Sequence, residues 1–455
     1  MKFIATRLEI VVAFVYLWIC AGILWPPTPY FSQTAPALDA SDPAGLIAHT
    51  MFLGVLLLAG VFRRRQMLLA MRCSWPILMI LALAFLSAFW SDAPELVLRR
   101  AGTLAVMTLF AMYLAARFEM PQLVSILVKV SACGAVVSFV VIAVAPGLAY
   151  GGSIDYPNAI RGAFTAKNTL GGISAMGIVI AAYAFWRGYG SRLISGLLLP
   201  ANMALVFISV SATALILIIV GAYAAVVTAA FRLRNAFGFT AGFALTVIGF
   251  AGLGLLGLGW QEVLLLLNRD ATLTGRAEIW QMSSDDIAHR PWLGFGYGAF
   301  WRHDTLEART MWEKVYWIVP HAHNGLLEIG LALGIIGMIA ITVLWVIAAW
   351  RGIRVLAWPS ATHVGFCLAI FAAVFFENLT EFEFLKADSL YWSLFTIGFV
   401  YLGREAMERR AALGRAGVAA RVLSATQPLP GVRPGALPGS LPGPLTARAT
   451  AAAPR

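Results

Sequence analysis

Apolar runs long enough, or nearly long enough, to cross a bilayer recur about twelve times in this chain. They are centred on 8–25, 46–62, 75–90, 101–116, 123–145, 170–186, 194–210, 213–231, 237–258, 325–350, 362–378 and 389–403. A hydrocarbon core about 30 Å thick is crossed by roughly 20 apolar residues in a helix, and within it every backbone N–H and C=O must be satisfied internally. The pattern predicts an all-α fold, a polytopic integral membrane protein of about 12 transmembrane helices. Composition excludes a soluble globular domain, since only 12% of residues are charged against roughly a quarter in such domains. The runs at 75–90 and 389–403 are short, and only Ser209, Ser211 and Thr213 divide 194–231, so ten to twelve spans is the range. The first run follows Lys2 and Arg7 but is longer than a signal-peptide core, and it reads as the first span.

The charges orient these spans. With the N-terminus in the cytoplasm, one set of loops collects 21 of the 33 basic residues, among them Arg63, Arg64, Arg65, Arg117, Arg232 and Arg351, with only four acids. The other side holds 11 basic residues and 18 acids, and Lys129 lies within a span. The positive-inside rule then places both termini in the cytoplasm. The net charge of +11 is mostly topological and implies no nucleic acid. Cys20, Cys73, Cys133 and Cys367 share no short spacing, which argues against a disulfide framework or a metal motif.

Residues 1–405 read as one transmembrane domain, whose longest connection is an outer loop at 259–320 expected to be partly helical. Residues 406–455 form a basic, Pro/Gly/Ala-rich tail, expected to be disordered in the cytoplasm, above all from Gln427 to Arg455.

Polar groups gather at the outer ends of the spans. Trp90-Ser91-Asp92 precedes Arg99 and Arg100, which serve either as interfacial anchors or as an anion site. Arg161-Gly162-Ala163-Phe164-Thr165-Ala166-Lys167-Asn168 leads into the sixth span, where a helix start adds unpaired N–H groups to the cations; a solvated turn is the alternative. Thr274 is a plausible N-cap for a helix carrying Arg276 in its first turn and Trp280 on the same face. An Arg at a helix start is electrostatically unfavourable, so a phosphate or an acid such as Glu278 should compensate. The run 291–301 alternates Gly with aromatics but follows no strand, so it is not a nucleotide loop. His321 and His323 flank Ala322 beside Asn324, with Glu328 one turn on; on a helix they would diverge, which makes metal binding weak and favours base or donor chemistry. Glu377-Asn378-Leu379-Thr380-Glu381-Phe382-Glu383 offers acceptors for sugar hydroxyls or is an acidic surface loop.

Taken together, Thr274-Gly275-Arg276 with Trp280, Pro291-Trp292-Leu293-Gly294-Phe295-Gly296, and His321-Ala322-His323-Asn324-Gly325 running into Leu333-Gly334-Ile335-Ile336-Gly337 resemble the O-antigen ligase/polymerase superfamily, in particular ExoQ-like exopolysaccharide polymerases. The Arg161–Asn168 element with Leu170-Gly171, and Trp90-Ser91 with Arg99 or Arg100, resemble further motifs of that family, and the resemblance covers most of 80–400. It implies a glycosyltransferase of the bacterial inner membrane, multi-pass, with its active site facing the periplasm. Its donor would be an undecaprenyl-diphosphate-linked oligosaccharide, its acceptor a growing glycan, and its surroundings membrane lipids and other polysaccharide assembly proteins.

Carried onto this chain, the resemblance makes Arg161 and Arg276 the grip on the diphosphate and His323, rather than His321, the group at the acceptor hydroxyl. Arg99, Arg100, Lys167, Asn168, Trp280, His321, Asn324 and Glu377 are further substrate-binding candidates. No acidic motif for Mg²⁺ is apparent, so no metal or cofactor is expected and arginines stand in for the metal. An O-antigen or protein glycan ligase would share this donor chemistry. A transporter or flippase for lipid-linked sugar would instead place ionisable residues at mid-span and show internal repeats. The charge division has a direct test: a reporter active only in the cytoplasm, fused between Gly259 and Pro320, should be silent, and activity there would reverse the orientation.

Overall fold

The computed structural model describes residues 7–24, 43–150, 158–258, 275–358 and 361–426, with side chains left undescribed at 250, 253–258 and 415–426. Its helices are α1 (Arg7–Ala21), α2 (Pro43–Phe62), α3 (Arg64–Cys73), α4 (Trp75–Leu86), α5 (Pro94–Arg117), α6 (Met120–Val144), α7 (Pro146–Ala149), α8 (Lys167–Arg187), α9 (Arg192–Ser209), α10 (Ala212–Arg232), α11 (Ala236–Leu258), α12 (Arg276–His289), α13 (Leu306–Val315), α14 (Gly325–Leu356), α15 (Val364–Thr380) and α16 (Leu390–Thr426). Among the described residues there is no strand, only an isolated bridge between Tyr150 and Ile160.

All twelve apolar runs are helical. Among the described residues seven helices, namely α2, α5, α6, α8, α9, α10 and α14, are long and apolar enough to cross a membrane. An eighth span arises if α3 and α4 count as one, bent by 85°. This is a multi-pass membrane protein. The expected outer loop does contain helix, as α12 and α13, while 259–274 lies outside the described residues.

One departure concerns the tail. Helix α16 runs on to Thr426, through a stretch expected to be disordered, because Ala- and Arg-rich sequence is strongly helix-forming. The chain divides after Met407, and of the second unit only the continuation of α16 to Thr426 belongs to the described residues.

Helix α5 shows how the ends are assigned. At its C-terminal end Arg117 donates to Glu9, from Nε at 3.0 Å and from a terminal nitrogen at 2.7 Å, and Arg63 donates to the same carboxylate at 2.7 Å. Arg99 and Arg100 sit at its other end, roughly 27 Å away along the axis at 1.5 Å per residue.

The feature that shapes the half of the molecule around the 291–324 loops is a break inside α14. Gly334 has φ 63 and ψ −163, a conformation reserved almost entirely for glycine, so the helical hydrogen bonds stop there. The loop 291–296 repairs the break: Phe295 N–H donates to the Leu331 carbonyl at 2.8 Å, Gly296 N–H to Ala332 at 3.0 Å, and Ile335 N–H to Pro291 at 2.7 Å. Buried backbone groups are paired almost without exception, and in lipid no water stands ready to do it. Gly294 and Gly334 let the two backbones touch, since a Cβ on either would overlap main-chain atoms of the other segment. The Gly–aromatic alternation in 291–301 is therefore a backbone splice.

Gly334→Ala should lower stability by about 1–3 kcal/mol from backbone conformation alone, and further through overlap with Trp292. Gly60→Ala, in α2 with nothing within 4 Å of its added Cβ, should be neutral or stabilise by up to about 1 kcal/mol. Thermal unfolding of both variants in detergent gives the comparison; equal midpoints would refute the splice.

Candidate functional site

The splice positions the loop that carries the histidines. Trp301, at the end of the Gly–aromatic segment, donates its indole N–H to both oxygens of the buried Glu328, at 2.9 and 3.0 Å. Glu328 in turn accepts the Ala322 N–H at 2.8 Å, while the Ala322 carbonyl accepts from Trp280 Nε1 at 3.1 Å. The residue between the two histidines is thus clamped at both of its polar groups. Asn324 caps α14, its side-chain oxygen accepting from Leu326 and Leu327 N–H at 3.0 and 3.1 Å.

The histidines precede the helix instead of lying on it. His323 takes φ 48, and the rings stand 4.2 Å apart, tilted by 55°. The expectation that they diverge fails because it assumed helical geometry. The His323 N–H donates to His321 Nδ1 at 3.2 Å, and His323 Nδ1 lies 3.0 Å from Glu381 Oε2.

Glu381 is the hub. It closes the C-terminus of α15 and accepts from Arg276 at 2.7 Å and from Asn168 at 2.8 Å on its other oxygen. Arg276 also donates to the Thr380 carbonyl. Arg276 stands at the first position of α12, preceded by Gly275 in the left-handed region at φ 82, and Thr274 lies outside the described residues. The acid that compensates the cation at this helix start is Glu381, 105 residues away, and not the neighbouring Glu278.

Burial alone would raise the Glu381 carboxyl, but the hydrogen bond from His323 and the charge of Arg276 outweigh it and hold the group well below the usual carboxylate range. His321 is pushed well below its usual value by burial and then by His323, so it stays neutral at pH 7. The ligand atoms of His321, His323 and Glu381 lie within 4.8 Å of one another, close enough to hold a cation. The Arg276 guanidinium, however, already places a fixed positive charge on that carboxylate.

The structure therefore sorts the expected site residues. It brings together Arg276, His321, His323 and Asn168, with Trp280 and Asn324 as fasteners of the same loop. Arg99 and Arg100 line a separate cavity of about 520 Å³ whose walls include neither Arg276 nor His323. Arg161 donates from Nε to the Leu148 carbonyl at 2.9 Å, and Lys167 opens α8. Glu377 lies one turn deeper than Glu381 in α15, buried, with Oε2 lacking a partner among the described residues. Its Oε1 lies 3.0 Å from where a Cβ on Gly172 would fall, and the contacts to Arg276, Asn168 and His323 are made by Glu381 instead. The two glutamates stand in the same seven-residue acidic segment, and nothing local distinguishes them.

Comparison with known proteins joins this geometry to a class. Residues 196–342 match the family model described as O-Antigen ligase, a span that contains Arg276, Trp280, both histidines and Glu328 but neither Asn168 nor Glu381. With the motif set, the match supports the O-antigen ligase/polymerase superfamily. More particularly, the chain is similar to "Exopolysaccharide production protein ExoQ" of Rhizobium meliloti (strain 1021), 30% identical over 210 residues, which are 43% of this chain and 47% of that one. The chain thus spans about half the length of this curated relative.

Removing the hub isolates its contribution. Glu381→Ala leaves Arg276 and His323 without their acceptor and should cost about 3 kcal/mol, as for a hydrogen-bonded, largely buried charge pair. Because the folded pKa is depressed, this stabilisation is fully present above the unfolded value of about 4.3 and is lost as pH falls below it toward the folded one. The gap between wild type and variant in thermal midpoint should be level from pH 7 to about 5 and narrow under further acid; a gap that widens there would contradict the assignment.

Proposed function

We propose that this protein is a membrane glycosyltransferase that polymerises undecaprenyl-diphosphate-linked oligosaccharide repeat units into exopolysaccharide at the periplasmic face of the bacterial inner membrane. The observation that carries the reading is the Glu381 cluster, which joins Arg276, His323 and Asn168 where the ends of α8, α12, α14 and α15 meet. Similarity to an O-antigen ligase family model and to an exopolysaccharide production protein supports the same class.

The tautomers follow from the hydrogen bonds. Because Glu381 is ionised, His323 Nδ1 must donate to it, and in the neutral imidazole this tautomer presents the Nε2 lone pair as the base. His321 Nδ1 accepts the His323 N–H, so the proton of neutral His321 is on Nε2, where it is a donor. In the transfer, the acceptor sugar hydroxyl gives its proton to His323 Nε2 as its oxygen attacks the anomeric carbon. The bond to the diphosphate breaks, and the lipid diphosphate leaves with the electron pair. Attack opposite the leaving group inverts the anomeric centre.

Arg276 uses two of its five donors on Glu381 and Thr380 and presents a preorganised guanidinium to the developing charge. Arg161 is the second cation proposed for the diphosphate. With arginine in this role the reaction needs no divalent metal. A ligase with the same donor and another acceptor is the neighbouring reading, and the identity of the acceptor decides between them.

Purified protein in liposomes, given lipid-linked repeat units, should form a polymer ladder that persists in chelator. Arg276→Lys should lose about 10²–10³ in turnover, because an ammonium cannot reproduce the guanidinium fork. His323→Ala should lose about 10²–10⁴ while still binding the donor. Near-normal turnover in both variants would return the cluster to a structural role and favour transport.

A further inference from the structure

A depression of about 370 Å³ opens at the end of α13, beside the histidine loop. Its exposed faces are aromatic: Tyr316 is 93% and Trp317 44% exposed, and the Trp317 ring lies 6.0 Å from that of His323. Arg309 and Glu313, one turn apart on α13, border the same space, and neither side chain has an ion pair or hydrogen bond among the described residues. We propose that this surface is a glycan-binding shelf, which holds sugar units of the acceptor chain behind the hydroxyl presented to His323.

The shelf has a fixed backing. Trp312 is buried behind it and donates Nε1 to the Val319 carbonyl at 2.9 Å, with His303 edge-on to its ring at 5.1 Å. That bond fixes the 316–319 turn, which leads directly into His321. Tyr316 ends α13 in the left-handed region at φ 60. Helices that end in this way usually do so on glycine, because a Cβ is strained in that conformation. At 93% exposure, packing within the chain does little to offset the strain on Tyr316. A strained backbone that presents a ring outward is the kind of outlier that function sustains.

The residue types select the occupant. A sugar ring offers apolar C–H faces and, around its edge, hydroxyls that both donate and accept. The flat rings of Tyr316 and Trp317 suit the faces, while the Glu313 carboxylate accepts from hydroxyls and the Arg309 guanidinium donates to them. Tyrosine and tryptophan also anchor proteins at bilayer surfaces, but the charges of Arg309 and Glu313 cancel, so the shelf offers an anionic headgroup no net attraction. Its volume falls within the roughly 300–1,000 Å³ that holds a whole organic ligand. Position names the source of the glycan, since the shelf adjoins His323, which takes the acceptor proton in the proposed transfer. The acceptor role rests on that reading; the binding does not, because it is read without turnover.

The test is calorimetric titration of the full chain in nanodiscs with a panel of bacterial polysaccharide fragments, tetrasaccharides and longer, including fragments cut from any polymer that the wild type assembles. Wild type should bind at least one of them. Tyr316→Gly/Trp317→Ala should weaken that binding by about tenfold or more, although glycine relieves the backbone at 316 and the thermal midpoint should not fall. Tyr316→Phe/Trp317→Tyr should keep most of the affinity, and Arg309→Gln/Glu313→Gln should lose roughly ten- to a hundredfold. In the liposome assay the ring-deleted variant should raise the KM for acceptor and shorten the polymer, with donor affinity as in wild type. No bound fragment, or unchanged affinity in either deleting variant at wild-type thermal midpoint, would overturn the shelf. So would brominated lipid quenching a bimane at Tyr316→Cys as strongly as one at Leu57→Cys, a position 65% exposed on α2, because the rings would then be a membrane anchor. Ring-dependent binding in a protein that forms no polymer would support the shelf and refute the proposed transfer instead.

Discussion

A break in a membrane helix leaves backbone groups that lipid cannot satisfy, and the region around the 291–324 loops is arranged around the repair of one such break. Gly334 interrupts α14, and the 291–296 backbone supplies the missing donors and acceptor. Once that loop is pinned, its other contacts follow. Ser91 and Trp90 donate to the Phe295 and Leu293 carbonyls at 2.9 Å each, which fastens the approach to α5, and Ser87 accepts from the Tyr297 N–H at 2.9 Å. Trp301 then reaches Glu328, and through Glu328 the Ala322 peptide between the histidines. The strained glycine is the start of a chain of contacts that ends at His323.

Electrostatics completes what the backbone begins. Three side chains from distant parts of the chain, Arg276, Asn168 and His323, converge on Glu381, and the carboxylate stays ionised because it is surrounded by donors. A buried ion pair alone is weak evidence for stability. Its value here lies in geometry: one acid orients a guanidinium, sets a histidine tautomer and ties α8, α12 and α15 to the loop before α14. The 520 Å³ cavity lies beside these segments, and its wall holds Arg99, Arg100 and Lys386 together with Glu328 and Asp388.

The sequence by itself determined what depends on local composition and period. Apolar runs dictate helices because lipid permits little else, and every one of the twelve is a helix. The position of arginines, histidines and glycines at the ends of those runs marked the segments that meet, and the family motifs in them were legible without coordinates. Glycine at 294, 296 and 334 was visible as a pattern, though its purpose was not, since a splice between backbones some 40 residues apart has no local signature.

Tertiary structure alone decided the partners. It joined Arg276, Asn168 and His323 to Glu381 and not to Glu377, one helical turn away in the same acidic segment. It paired His49 with Asp388 across 339 positions and placed Arg99 and Arg100 in a cavity apart from Arg276. It also moved the histidines off the helix, because Asn324 caps α14 after them. Helix formation is governed by neighbours within a turn or two, whereas which acid meets which arginine depends on how the helices pack, and that is settled only when the whole bundle closes.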